Sequence, residues 1–277
     1  MPDMSRSVKM RSWYLFSDLS KILSMAAQPI SSEQMRCGIE EAKSRIAENW
    51  HEVRASVADA ARAAGRDADS VRIVGVAKYV DATITQWLVD AGCVELGENR
   101  PQSLIEKSGV LDGPIRWHQI GHLQRNKVRR LLSAEPVIHS VDSQRLLDEI
   151  HCEASQQARS VDVLIEVNVS DEDAKTGLPI EQAEAVLRQL VESRDSQSGE
   201  PGARIIGLMA MAGWGTTPDQ AQRQFAKLRG LRDQLQTAVG IPLPELSMGM
   251  SGDYPAAIAE GATLVRIGSS LFSGVLP

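Results

Sequence analysis

The sequence predicts an α/β protein, a modified (β/α)8 TIM barrel in which eight parallel strands close into a ring and one extra helix precedes them. Short β-branched runs alternate with helical patterns eight times along the 277 residues. That length suits one barrel of about 250 residues. The main alternative, an open doubly wound sheet, usually carries a glycine-rich first turn. The first run ends instead in Gly75-Val76-Ala77-Lys78, which has no such pattern.

The elements follow one another in order along the chain. The extra helix is predicted over residues 32–64 and ends at Gly65. Its predicted apolar face comprises Ile39, Ile46, Trp50, Val53 and Val57. The predicted strands are 71–77, 94–97, 115–120, 137–141, 161–169, 204–209, 245–248 and 263–267. The helices between them are 82–91, 100–108, 123–132, 143–158, 179–193, 217–239 and 254–260. In the helix at 217–239 the buried stripe is Ala221, Phe225, Leu228, Leu235 and Val239.

The domain organisation follows from this alternation. Residues 33–277 are predicted to form a single barrel domain, and residues 1–32 an extension without stable structure. Basic residues around a short apolar patch make this extension resemble a targeting segment, but acidic residues interrupt it and no clear cleavage site follows. The simpler interpretation is an upstream extension, with the true start at Met25 or Met35.

Composition and charge argue against several kinds of partner. The formal net charge of −6 disfavours a general nucleic-acid surface, and the basic run 125–130 fits the solvated face of a helix. No apolar run approaches the ~18 residues that span a bilayer, so no membrane partner is expected. Cys37, Cys93 and Cys152 form neither a disulfide framework nor a metal-ligand spacing, which favours a reducing, cytoplasmic setting. We expect a monomer or a weak dimer.

Functional side chains of a barrel lie where its strands end, at the carboxyl face. Lys78 directly follows the first strand, where it would point over the barrel mouth as a nucleophilic amine. The alternative is an ordinary strand-end lysine that reaches solvent. Asn99 and His118, at the ends of the next two strands, would orient a ring hydroxyl or an imine. The alternative for Asn99 is a helix-capping role, and the alternative for His118 is a buried core histidine. A metal pair of His118 and His122 would need both on one helix, which Gly121 disfavours.

Glycines and small hydroxyl residues follow the last two strands, in the segments 247–253 and 266–270. Such residues let backbone N–H groups approach an anion, and barrels often bind phosphate at these strands. A reactive lysine that faces a phosphate site is what an aldehyde cofactor with a phosphate group needs, with Arg266 beneath its ring. A different phosphorylated metabolite, held by Lys78 as a simple salt-bridge donor, is the alternative.

Several motifs then carry a resemblance over about residues 40 to 275. They are Val76-Ala77-Lys78, Gly97-Glu98-Asn99-Arg100, the segment 117–127, the segment 139–143, the segment 167–170, Lys175-Thr176-Gly177, Gly207-Leu208-Met209, the segment 246–251, the segment 265–269 and Leu271-Phe272. In this order they resemble the pyridoxal phosphate homeostasis protein family, which is related to the barrel domain of alanine racemase.

The resemblance implies pyridoxal phosphate as cofactor, bound as a Schiff base on Lys78 in an alanine-racemase-like barrel of fold type III. It implies that Asn99 and His118 lie near the cofactor. The residues implied to hold the phosphate are Ser251, Gly268 and Ser269, with Met248 nearby. Arg266 would face the pyridine nitrogen and keep it unprotonated, which makes the cofactor a poorer electron sink.

The function implied is storage, buffering or delivery of pyridoxal phosphate, with apo-enzymes as possible recipients and no established reaction. A weak amino-acid racemase, or another enzyme acting at the α-carbon, is the alternative. Tyr79 is expected to point away from Lys78, because adjacent strand residues face opposite sides. The family lysine is usually followed by threonine, lysine and proline, where this chain has Tyr79-Val80-Asp81. Lys175 matches a family loop lysine and is a possible second contact.

Overall fold

The computed structural model describes residues 29–170, 176–193 and 201–277. Its centre is a barrel of eight parallel strands: β1 (Arg72–Val76), β2 (Glu95–Glu98), β3 (Arg116–Gln119), β4 (Val137–Val141), β5 (Ser160–Asn168), β6 (Gly202–Met209), β7 (Glu245–Met250) and β8 (Leu264–Ile267). Each strand pairs with the next in chain order, and β8 closes the ring on β1, with Arg72 opposite Leu264. A two-residue strand, Leu178–Pro179, pairs with the end of β5. The predicted barrel is confirmed.

The helices lie around this ring and, apart from the start of the first one, agree with the predicted positions to within a few residues. They are α1 (Ile39–Ala63), α2 (Ala82–Asp90), α3 (Pro101–Ser108), α4 (Arg125–Leu131), α5 (Gln144–Gln156), α6 (Ile180–Ser193), α7 (Pro218–Val239) and α8 (Tyr254–Ala259). On α7 the predicted stripe is confirmed: Ala221, Phe225, Leu228 and Leu235 are buried, and Val239 packs against them. The basic run 125–130 lies on α4, where all of it except Val128 is exposed.

The predicted start of the first helix, at residue 32, is wrong. A 3-10 turn, Ser32–Gln34, is followed by extended backbone at Met35, and α1 begins only after its N-cap residue, Gly38. The Arg36 N–H donates to the carbonyl of Val275 at 3.0 Å. The backbone before α1 therefore bonds to the last residues of the chain instead of forming a further helical turn. Ile39, predicted as buried, is the first residue of α1 and is 51% exposed.

Part of the predicted extension contacts the barrel. Ile30 forms a parallel bridge with Val80, in which the Ile30 N–H donates to the Tyr79 carbonyl at 2.8 Å and the Asp81 N–H donates to the Ile30 carbonyl at 3.0 Å. The pairing places residues 29–31 beside the loop that follows Lys78. Residues 1–28 lie outside the described part of the chain, so the boundary at residue 32 stays a prediction.

The core has two layers. Most buried apolar side chains lie between the strands and the helices, and a smaller cluster of Val137, Leu164 and Met209 lies inside the barrel. At the amino end, Arg72 pairs with Glu95 and Glu245 across the barrel. Within the described residues, no helix is long and apolar enough to cross a membrane.

The close pairing of β6 and β7 gives a first test. Gly207 lies opposite Glu245, and a Cβ atom on Gly207 would lie 1.9 Å from the Glu245 carbonyl oxygen. We expect Gly207→Ala to lower the free energy of unfolding by about 1–3 kcal/mol or more, because backbone must move to admit the methyl group. Urea denaturation measures this loss.

Gly230 on α7 is the matched control, since no atom lies within 4 Å of its added Cβ. Gly230→Ala is expected to raise stability by about 0.5–1 kcal/mol through helix propensity. Equal stability of wild type and Gly207→Ala would contradict the described strand spacing.

Candidate functional site

The carboxyl end of the barrel brings most of the predicted site residues to one rim. Lys78 and Asn99 follow β1 and β2, while Ser251, Gly268 and Ser269 follow β7 and β8. Because β1 pairs with both β2 and β8, the strands that carry these residues are neighbours in the ring. The closed ladder therefore brings together segments that are far apart in sequence.

Lys78 lies in a turn rather than in the strand. β1 ends at Val76, the Ala77 N–H continues the ladder to the Gly97 carbonyl at 3.0 Å, and the chain then turns. The half-buried Lys78 amine lies 4.8 Å from the centre of the Tyr79 ring. The expectation that Tyr79 points away from Lys78 is wrong, because strand alternation ends before this pair. The contact has cation–π geometry, which restrains the amine at the rim.

A buried ion pair supports the residue before Lys78. The Lys107 amine, on α3, donates to Glu98 Oε1 at 2.5 Å and to the Ala77 carbonyl at 2.9 Å. Lys107 is only 4% exposed and Glu98 only 1%. Burial raises the pKa of Glu98, and the charges of Lys107 and Lys78 oppose that rise. Lys107 is not recognisable as a site residue from the sequence, because a lysine in the last turn of a short helix ordinarily reaches solvent.

Asn99 is held at the rim by contacts with the next loop. Gln119 donates from its side-chain nitrogen to the carbonyls of Asn99, at 3.2 Å, and Gly121, at 2.9 Å. A Cβ atom on Gly121 would lie 2.3 Å from the Asn99 carbonyl oxygen, so only glycine allows this close approach. The N-cap residue of α3 is Arg100, so the alternative that Asn99 caps this helix is wrong.

The two predicted phosphate segments lie against each other. The Gly268 N–H donates to Ser251 Oγ at 3.4 Å, and Gly268 begins the 3-10 turn Ser269–Phe272. In the neighbouring loop the Met250 N–H donates to Asp253 Oδ1 at 2.5 Å, which fixes the turn between β7 and α8. Burial raises the pKa of Asp253. The arrangement presents a hydroxyl group and small residues at one point of the rim.

Arg266 lies below this rim, inside the barrel, and is 5% exposed. Its Nη1 donates to the Ser247 carbonyl at 2.8 Å and to Ser247 Oγ at 2.6 Å, and its Nη2 donates to the Ala210 carbonyl at 3.0 Å. Burial lowers the pKa of Arg266 to about 10, although Asp253 and Glu166 oppose this. Within the described residues, no acceptor is bonded to Nε–H or to the second hydrogen of Nη2. An unprotonated pyridine nitrogen is a suitable acceptor for such a donor.

His118 is not brought to the mouth. It is 1% exposed inside the barrel, with Nε2 at 2.7 Å from Glu95 Oε2 and Nδ1 at 2.8 Å from His139 Nε2. Burial lowers the pKa of His118, although Glu95 opposes this. Both ring nitrogens already have partners, so a role of His118 toward a ligand would pass through its neighbours. One of these neighbours is His139, which was not predicted as a site residue.

Two other predictions concern Met248 and the histidine pair. Ser247 faces the barrel interior, and the next residue, Met248, is packed in the outer core between strands and helices. Its side chain therefore does not reach the mouth. His122 is exposed and bonds to Asp142 at 3.1 Å, well away from the interior partners of His118. In the part of the chain that the structure describes, no cluster of three metal-ligating residues occurs.

Glu166 is a buried carboxylate at the mouth that the sequence analysis missed. It lies at the end of β5 and accepts a hydrogen bond from Thr176 Oγ1 at 2.6 Å. Burial raises the pKa of Glu166, and the Asp142 carboxylate adds to that rise, while the charge of Arg266 opposes it. Thr176 belongs to the motif of Lys175, which itself lies outside the described residues.

A cleft of about 410 Å³ lies at the opposite, amino end of the barrel and contains none of the predicted site residues. Its charges are paired within the protein. Asp162 accepts from Arg116 at 3.2 Å and from Arg204 at 2.6 Å, and Arg159 pairs with Glu135. Functional groups of such barrels lie at the carboxyl end, so we regard this cleft as a structural feature.

Fold and site together define a class of α/β barrel with a lysine after the first strand and a buried arginine on the last. Residues 42–275 match the family model described as alanine racemase, N-terminal domain. The pyridoxal phosphate homeostasis protein of Aquifex aeolicus is 39% identical over 76% of this chain and 89% of its own length. That of Pseudomonas aeruginosa is 36% identical over 83% and 95%. The chain belongs to the pyridoxal phosphate homeostasis protein family.

Solved structures agree with this placement. The structure of PipY from Synechococcus elongatus with pyridoxal phosphate bound is 33% identical to this chain, with a TM-score of 0.72 over 82% of this chain and all of PipY. The crystal structure of an unknown protein from Bifidobacterium adolescentis gives 33% identity and a TM-score of 0.76 over 83% of this chain and 96% of its own. Alanine racemase from Bartonella henselae, with a TM-score of 0.61 at 13% identity, shares the fold.

The buried pair beneath Lys78 gives a second test. Lys107→Met would leave the Glu98 carboxylate buried without its cation, and we expect a loss of about 3–5 kcal/mol in the free energy of unfolding. The double variant Lys107→Met/Glu98→Gln should recover much of that loss, because no uncompensated charge remains. Thermal and urea denaturation measure both.

Lys127→Met on the exposed face of α4 is the control and should change stability by less than about 0.5 kcal/mol. If the double variant were no more stable than Lys107→Met, the loss would come from the Ala77 carbonyl bond instead.

Glu166 gives a third test, through pH. A carboxylate with a raised folded pKa contributes stability below its ordinary pKa of 4.5, and this contribution is lost as pH rises through the folded pKa. Glu166→Gln should therefore decline less in stability above about pH 4.5 than wild type. Urea denaturation across this pH range measures the slope, with the exposed Glu52→Gln as control. If the stability of wild type and of Glu166→Gln changed in parallel with pH, Glu166 would not be the source of the decline.

Proposed function

We propose that this protein binds pyridoxal 5′-phosphate covalently through the Lys78 amine and stores, buffers or delivers it, with no reaction of its own. The observation that carries the proposal is Arg266, a buried cation below the rim with donors that no described residue satisfies. The cofactor, when bound, supplies an aldehyde for the amine, a phosphate, and a ring nitrogen that accepts a hydrogen bond.

Each part of the cofactor has a corresponding group on the chain. The Lys78 amine, restrained over Tyr79, would hold the aldehyde group of the cofactor, with one water released as the two condense. Ser251, Gly268 and Ser269 hold the phosphate, as the contact between their two segments supports. Asn99, fixed at the rim by the following loop, contacts the ring.

Arg266 makes the bound cofactor a poorer electron sink. A guanidinium group only donates hydrogen bonds, so its partner nitrogen is an acceptor and stays unprotonated. An unprotonated ring withdraws electrons poorly, which disfavours reactions at the α-carbon of amino acids. The relatives agree, since those from Aquifex aeolicus and Pseudomonas aeruginosa are both named as homeostasis proteins.

Partners and setting complete the proposal. Apo-enzymes that need pyridoxal phosphate are the proposed recipients, in the cytoplasm, with the chain acting as a monomer or weak dimer and without nucleic acid. Residues 33–277 act as the single cofactor-binding domain. Lys175 is a proposed second contact for the cofactor.

The fourth test is direct. Purified protein with pyridoxal phosphate should show a new absorption band, and after borohydride reduction, peptide mass mapping should find the adduct on the peptide that contains Lys78. Lys78→Ala should lose the band and the adduct yet stay folded, because one half-buried rim side chain contributes little to the core. The exposed Lys127→Ala should behave as wild type.

Two results would contradict the proposal. An adduct scattered over surface lysines would favour a barrel for another phosphorylated metabolite. Exchange of the α-proton of L-alanine in D2O at enzymatic rates would favour an enzyme over a carrier.

A further inference from the structure

A continuous chain of hydrogen bonds crosses the barrel interior below the proposed cofactor site. We call its five members, Arg266, Ser247, His139, His118 and Glu95, the interior chain. Arg266 Nη1 lies 2.6 Å from Ser247 Oγ, which lies 2.9 Å from His139 Nδ1. His139 Nε2 lies 2.8 Å from His118 Nδ1, and His118 Nε2 lies 2.7 Å from Glu95 Oε2. These residues come from β8, β7, β4, β3 and β2, so the chain spans the width of the barrel.

The two ends of the interior chain determine its direction. Arg266 can only donate, and an ionised Glu95 can only accept. Although burial opposes it, the His118 hydrogen bond and nearby arginine charges hold the pKa of Glu95 below its usual range. His118 must then donate from Nε2 to Glu95, which leaves its Nδ1 to accept from His139. His139 in turn donates from Nε2, and its Nδ1 accepts from the Ser247 hydroxyl.

This assignment satisfies every group with both histidines neutral. Burial lowers the pKa of His139 well below its ordinary value, and the charge of Arg266 adds to that effect. The charged groups around the imidazoles are Glu95 at one end and the guanidinium groups of Arg72, Arg116 and Arg266. An extra proton on His139 Nδ1 would reverse the bond to Ser247, whose own hydroxyl hydrogen would then lose its acceptor.

We propose that His118, His139 and Glu95 are positioning residues, which direct the Ser247 hydroxyl so that its oxygen accepts from Arg266 and fixes the guanidinium group for the cofactor ring. The inference rests on the proposed function. Two of the three described Arg266 bonds end on Ser247, one on its carbonyl and one on its hydroxyl, and the second depends on how that hydroxyl is oriented. His118 thus serves the cofactor site without touching the cofactor.

The direction of the interior chain can be measured on the cofactor-free protein. Long-range 1H–15N correlation spectra distinguish Nε2–H from Nδ1–H imidazoles, and five single His→Gln variants assign the five histidines. We expect His118 and His139 to be neutral Nε2–H tautomers that do not titrate between about pH 6 and pH 8. An Nδ1–H tautomer at either residue, or titration near its ordinary pKa, would overturn the assignment.

The positioning role is tested with paired variants of His139. His139→Leu removes both bonds, and we expect pyridoxal phosphate to bind about tenfold more weakly, with a shifted absorption maximum. His139→Gln keeps one donor and one acceptor and should restore the wild-type maximum and most of the affinity. A purely structural role would not give this rescue. The exposed His51→Leu is the control for loss of an imidazole.

The outcomes separate this inference from the proposed function. A folded His139→Leu protein with wild-type affinity and spectrum would overturn the positioning role and leave the carrier function standing. If wild type itself did not bind pyridoxal phosphate, the proposed function and the positioning role would both fail, and the tautomer spectra would still report the hydrogen-bond direction. Should His139→Leu not fold, Ser247→Ala, which keeps the Arg266 bond to the residue 247 carbonyl, takes its place with the same expected spectral shift.

Discussion

The structure depends on how the closed ring of strands fills its interior. Side chains that alternate inward from eight strands must pack against one another, and any polar group among them loses its contact with water. This chain places an arginine, two histidines and a serine there, beside a small apolar cluster. An unpaired polar group at such a depth would cost several kcal/mol. The hydrogen bonds that join these residues supply partners for the Ser247 hydroxyl and for both nitrogens of each imidazole.

The rim of the site is supported on two sides. From outside the barrel, Lys107 and Glu98 form a buried pair that also binds the Ala77 carbonyl, directly before Lys78. From inside, the buried Arg266 on β8 lies below the phosphate segments. A cofactor bound between these supports would meet a preorganised surface, which reduces the entropy lost on binding.

The segment after Lys78 is where this chain departs from the pattern of the family it resembles, and the structure gives a physical account of one of the changed positions. Asp81 donates its backbone N–H to the Ile30 carbonyl, and its carboxylate accepts from the Ile84 N–H to cap α2. A proline at position 81 has no N–H and could not make the first bond. One of the two hydrogen bonds that pair residue 30 with this loop therefore depends on the departure, and the pairing ties residues 29–31 to the loop that carries the lysine.

The sequence alone determined the barrel, the order of its elements and the rim positions of Lys78, Asn99, Ser251 and Gly268, because hydrophobic periodicity and strand ends are local properties. It could not determine the start of α1, where a bond from Arg36 to Val275 replaces a helical turn, nor the contact of Lys78 with Tyr79 beyond the end of β1. The roles of Lys107, His139 and Glu95 likewise appeared only in the tertiary structure. Their partners lie on other strands and helices, and a buried charge is recognisable only once the residues that compensate it are in place.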